Sequence, residues 1–69
     1  MATTRPMYDD RRRMSAQRFI DKYRDRIDAY LYSRGLSKPH ADFGEGSYWD
    51  FCLRDDHFRS LVSSEGVPT

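Results

Sequence analysis

Between residues 16 and 31 the apolar side chains fall at Ala16, Phe19, Ile20, Tyr23, Ile27, Tyr30 and Leu31. This spacing follows the 3.6-residue period and gathers them within an arc of about 120° on one helical face. The other face holds Gln17, Arg18, Asp21, Lys22, Arg24, Asp25 and Asp28. On such a face Arg24 and Asp28, four apart, and Lys22 and Asp25, three apart, are expected to pair. The pattern predicts a long amphipathic helix ending at Ser33 or Arg34, with Gly35 in the left-handed position that closes helices. Two starts fit. Pro6 at the first helical position places Asp9 and Asp10 near the positive end of the helix dipole, whereas Ser15 caps a shorter helix. Residues 1–5 show no periodicity and are expected to fray.

Residues 35–47 contain three glycines and one proline, a composition that breaks helices, so they are read as a connection. Leu36 and Phe43 are expected to tuck into the core and hold it down. Ser47 with Asp50 three residues later resembles a capping box and predicts a second helix over 48–63, followed by a tail over 64–69. Tyr48, Phe51, Cys52, Phe58 and Val62 share one side of that helix, although Asp55 and Arg59 interrupt the arc. Trp49 and Leu53 lie about 100° further round. Read as one straight helix, this element is apolar on two sides. A single partner helix covers only one of them, so a second copy or another protein is expected to cover the other. The expected architecture is all-α: a two-helix hairpin in one domain over 1–69, pairing as a symmetric dimer with a four-helix core.

Sixty-nine residues leave room for one domain and one small core. Charged residues make up 33% of the chain, yet aromatics reach 14%, and disordered chains are poor in aromatics. A folded chain is therefore expected. Cys52 is the single cysteine and has no intramolecular disulfide partner. No apolar stretch follows Met1 as a secretion signal would, so the expected location is the cytoplasm. No apolar run approaches the roughly 18 residues of a membrane span.

Net charge is only +1, but its distribution matters. Residues 1–34 carry nine Lys and Arg against five Asp, a net +4, and residues 35–69 carry a net −3. Opposite halves attract within a hairpin or across an antiparallel dimer, and they favour partners of mixed charge over a pure polyanion.

Catalytic and metal-binding patterns are weak. Cys52 and His57, five apart, point away from each other on a helix, and Asp55 and Asp56 beside them do not mend that. With one Cys and two His in the chain, counting His40, a four-ligand metal site is short of donors. Gly44-Glu45-Gly46 follows no strand and contains no lysine, unlike a phosphate loop. No enzyme activity, cofactor or metal is expected. Two binding signals remain. Tyr30, Tyr32, Arg34, Trp49 and Leu53, with Tyr48 and Arg54 nearby, have the composition of interface hot spots. Arg5, Arg11, Arg12, Arg13 and Arg18 form the densest cationic run and would contact nucleic-acid phosphates. The leading expectation is a small non-enzymatic regulator or inhibitor that blocks or redirects a cellular protein. Small phage proteins that disable host factors are often of this general type, and no motif ties the chain to a family. The alternative is a small nucleic-acid-binding regulator using the arginine run.

Overall fold

The computed structural model describes residues 6–69, with side chains from Arg11 onward. The fraying expected for residues 1–5, together with Arg5, lies outside the described residues. Among the described residues all regular secondary structure is helical: α1 spans Pro6–Ser33, α2 Tyr48–Arg54 and α3 Asp56–Ser64. No helix among them is long and apolar enough to cross a membrane.

The first helix begins at Pro6 and not at Ser15, giving 28 residues and a length of about 42 Å. Its buried stripe is Ala16, Phe19, Ile20, Tyr23, Ile27 and Leu31, with Tyr30 half-buried at the edge. The close of α1 is a Schellman motif. Leu36 N–H donates to the Leu31 carbonyl at 2.8 Å and Gly35 N–H to the Tyr32 carbonyl at 3.0 Å, with Gly35 at φ 72°. The same motif ends α3, where Gly66 has φ 73° and Val67 N–H reaches the Val62 carbonyl at 3.1 Å.

The second helix expected over 48–63 is instead two helices that meet at Asp55. That residue adopts φ −77° and ψ 129°, an extended conformation that no α-helix accommodates. Its Oδ2 accepts from the backbone N–H groups of His57 and Phe58, making it the N-cap of α3. The break re-aims the helix. Tyr48 and Cys52 from α2 and Phe58 and Val62 from α3 all reach the one core against α1. Trp49 lies edge-on to Phe19 of α1 with ring centroids 6.0 Å apart. Of the second apolar side, which suggested a dimer, Trp49 is thus packed within the chain and Leu53 stays half-buried on α2.

The connection is pinned mainly by polar groups. Phe43 packs against the core as expected, but Leu36 stays 52% exposed. Asp42 does the holding: its carboxylate accepts from Arg24 at 2.8 Å and from Gln17 at 2.7 Å, both on α1. The carbonyls of Ala41 and Asp42 accept from Tyr48 and Trp49 N–H, and Ser47 Oγ accepts from Asp50 N–H. Three of the N–H groups that a helix start leaves unpaired are therefore satisfied by the loop that precedes it. The capping box is reciprocal with a shift, since Asp50 reaches Gly46 N–H and not that of Ser47.

The pairs expected along α1, Arg24 with Asp28 and Lys22 with Asp25, are replaced by one other pair along the helix and by ties across the fold. Arg24 pairs with Asp21 and Asp42, Lys22 pairs with Glu65, and Asp28 accepts from the Tyr48 hydroxyl at 2.7 Å. Arg59 pairs with Asp56, leaving Asp55 to its capping role. The opposite charges of the two halves therefore meet inside one chain.

Candidate functional site

The five residues expected to bind a partner are not brought together. Tyr30 is half-buried, with its ring edge-on to Phe58 at 5.2 Å, tilted against Phe51 at 5.9 Å and stacked on His57 at 6.1 Å. Its hydroxyl donates to Asp55 Oδ1 at 3.0 Å, and burial together with that carboxylate raises the phenol pKa, keeping the donor protonated. Arg34 lies 4.7 Å over the same ring. Tyr30 and Arg34 thus form one cluster, with Tyr30 mainly structural. Trp49 sits about three turns of α1 away, on Phe19. Leu53 is half-buried on α2. Tyr32 is 85% exposed, as its place opposite the apolar stripe implies.

Another set of residues does converge. At the end of α1 a groove of about 300 Å³ is lined by Leu31, Leu36, Pro39 and Phe51, with Ser47, Asp50 and Arg54 among its polar margin. Leu31 is buried, Phe51 and Pro39 are half-buried, and Leu36 stands out into solvent. The Schellman motif fixes Leu36 from one side, and the Ser47 cap fixes α2 from the other. Arg54 Nε donates to Asp50 Oδ1 at 3.2 Å on the margin, and its side chain is 75% exposed. Leu36, Pro39 and Phe51 were missing from the partner surface expected from sequence. A signal for Leu36 was present, because an apolar residue just after a C′ glycine commonly meets the residue five before it, here Leu31.

No family model, curated protein or solved structure matches the chain. The surface chemistry alone therefore carries the functional reading.

The other candidate constellations are dispersed. Cys52 is fully buried, and burial, with a smaller effect from Asp55, pushes its thiol pKa up to about 12. A thiol held so strongly protonated is a poor nucleophile. His57 is exposed and stacked on Tyr30, and His40 is exposed in the connection. Among the described residues no group of three His, Cys, Asp or Glu is placed to hold a metal ion. The arginine run is split by the turn of the helix. Arg12 donates to the Thr69 carbonyl at 3.0 Å, Arg13 stacks 4.6 Å over Phe43, and Arg11 and Arg18 border a shallow depression beside exposed Met14. The arginines expected to act together therefore divide into two pairs, Arg12 with Arg13 beside Phe43 and Thr69, and Arg11 with Arg18 beside Met14, and Arg5 lies outside the described residues.

Proposed function

We propose that the chain is a non-enzymatic protein-binding regulator, which engages another protein at the end of α1 and blocks or redirects it. The observation that carries this reading is the apolar groove of Leu31, Leu36, Pro39 and Phe51, in which Leu36 stands out into solvent. A leucine held half out of the fold by a hydrogen-bonded turn loses little conformational freedom on binding, which favours association. Phe51 and Arg54, which line the same groove, are of the aromatic and arginine types that concentrate binding energy at interfaces. The reading takes the partner to be a different protein; of the two residues that suggested a dimer, Trp49 lies on Phe19 of its own α1 and Leu53 is half-buried on α2. A reducing compartment such as the cytoplasm suits the lone thiol of Cys52.

The test is affinity capture from lysate with the tagged chain, split into nuclease-treated and untreated halves. It is run beside a Leu36→Ser variant and an Arg11→Ala, Arg18→Ala variant. A protein retained after nuclease, lost with the first variant and kept with the second, is the expected result. Capture that vanishes with nuclease or with the arginine variant would replace this reading with nucleic-acid binding.

A further inference from the structure

We infer that the segment Glu65–Thr69 is a clasp that opens and closes as one unit along α1. Closed, it divides a trough over Ala16 and Phe19; open, it leaves that trough continuous up to Trp49. This face is distinct from the groove at the end of α1, and the clasp stands whether or not that groove binds a partner.

The course of the segment follows from its residues. Gly66, at φ 73°, turns the chain out of α3 in the left-handed conformation. Pro68 then drives Val67 toward extended backbone, because its ring clashes with a helical residue before it. The segment returns along α1 in the opposite direction. Glu65 accepts from the Tyr23 hydroxyl at 2.6 Å and from Lys22 at 3.2 Å. Gly66 and Val67 border Ser15, Arg18 and Phe19, and the Thr69 carbonyl accepts from Arg12 at 3.0 Å. Lys22 and Arg12 are ten residues apart on α1, about 15 Å of helix. Glu65 and Thr69 are four residues apart, about 13 Å when extended. The segment therefore has little slack, and a shift at one anchor is felt at the other.

Its hold is light. Val67 packs against the core, and its N–H closes α3 on the Val62 carbonyl. The ties at the two ends run through side chains, and those from Lys22 and Arg12 are open to solvent. Segments with few buried apolar contacts and solvent-exposed hydrogen bonds open while the rest of the fold stays intact. The space to either side is already present. A depression of about 210 Å³ lies where Glu65, Gly66 and Val67 meet Ser15, Arg18 and Phe19. Another of about 280 Å³ lies where Pro68 and Thr69 meet Ala16, Phe43 and Trp49. Ala16 and Phe19 are three apart on the buried stripe of α1, so lifting the segment between them joins the two depressions.

Trp49 is the chain's single tryptophan and lines the second depression beside Pro68 and Thr69, so its fluorescence reports the clasp. Acrylamide quenching of the full chain is compared with Glu65→Ala, which frees one end, and with Val67→Ser, which removes the apolar hold. Far-UV circular dichroism and hydrogen exchange of the Ile20 and Ile27 amides follow α1 in each. Either substitution should raise the open population about tenfold. The quenching constant of Trp49 should rise about twofold while α1 is unchanged. Glu65→Ala decides, including where Val67→Ser fails to fold. Glu65 does not border the depression that holds Trp49, and a segment that frays only from its last residues would not respond there. Unchanged quenching in Glu65→Ala, or a rise in Val67→Ser alone, overturns the clasp as a single unit. A rise accompanied by faster exchange of Ile20 and Ile27 overturns it too, since the trough is then exposed by unfolding of the whole core.

Discussion

Tyr30 and Asp55 meet across the core, the phenol donating to Oδ1 at 3.0 Å while Oδ2 accepts from the His57 and Phe58 N–H groups at 3.1 and 3.2 Å. One carboxylate therefore starts α3 and ties the elbow between α2 and α3 to α1. The same residue's own N–H closes α2 by donating to the Phe51 carbonyl at 2.9 Å.

Replacing Asp55 with Ala should be among the more damaging polar substitutions in the chain. Loss of an N-cap costs about 1 kcal/mol and up to about 2, and the Tyr30 hydroxyl also loses its acceptor. Urea unfolding followed by circular dichroism measures it. Tyr30→Phe keeps the ring stack on Phe58 and removes only the hydrogen bond, so its loss should be the smaller. The reverse order would mean that the elbow is set by aromatic packing and not by the cap.

The elbow also explains how much of the fold could be read from the residues in order. The buried stripe of α1 was visible because seven apolar positions repeat with one period and nothing polar interrupts them. The division at Asp55 was visible only as an anomaly. A carboxylate inside an apolar arc, with Trp49 and Leu53 out of phase with the rest, is how a broken helix looks when drawn as a straight one. Asp is a good N-cap, but it also fits an exposed helical position, and only the demand for a single core decides between them. The long-range ties were beyond reach for a different reason. Lys22 has an acidic neighbour at Asp25 and none of its own sequence marks Glu65, 43 positions away, as its partner. Local spacing favours pairs along the helix, whereas the folded chain brings Asp42 and Glu65 within reach of residues that already had nearby candidates. The candidate site suffered likewise, since Leu36, Pro39 and Phe51 adjoin only after the connection has folded back.

Asp42 and Glu65 make stability depend on acid. Hydrogen bonds from Arg24 and then Gln17 hold the Asp42 carboxyl below its ordinary value of 3.8. The Tyr23 hydroxyl, 2.6 Å away, and then Lys22 hold Glu65 below 4.5. A lowered carboxylate pKa favours the folded state above the unfolded value, and that contribution is lost as pH falls through the folded one. Urea midpoints should therefore be flat from neutral pH to about 5, then decline below about 4. Asp42→Asn and Glu65→Gln should each begin lower at neutral pH and decline less steeply, converging with the parent in acid. Parallel curves would remove these carboxylates from the acid response. Lys22 contributes the lesser part at Glu65, because its side chain is 60% exposed and such pairs are weak.

Cys52 reports on opening of the core. Buried completely beneath α2, with its pKa pushed up to about 12, it should resist labelling by a thiol reagent in the native state and react promptly in urea. Cys52→Ala should cost about 1 kcal/mol or somewhat more, as deletion of a small buried group does. Fast native labelling would mean that α2 detaches from α1 readily, and with it the groove wall formed by Phe51.

The groove depends on how rigidly Leu36 is presented, and two neighbouring substitutions separate rigidity from mere exposure. Gly35 sits at φ 72°, and a Cβ built there meets no atom within 4 Å, so Gly35→Ala incurs a backbone penalty alone. That penalty is about 1 to 2 kcal/mol, equivalent to a fall in Tm of roughly 7 to 14 °C in a chain this small. Leu36→Ser removes a side chain already half in solvent and should cost under about 1 kcal/mol. Partner capture should nevertheless fall in both variants. In Leu36→Ser it is lost because the apolar contact is gone; in Gly35→Ala, measured well below its Tm, it weakens because the turn no longer fixes the leucine. Full capture by Gly35→Ala would show that Leu36 binds as a flexible apolar group. In that case the Schellman motif serves only to end α1, and the preorganisation that favours this surface is lost as an explanation.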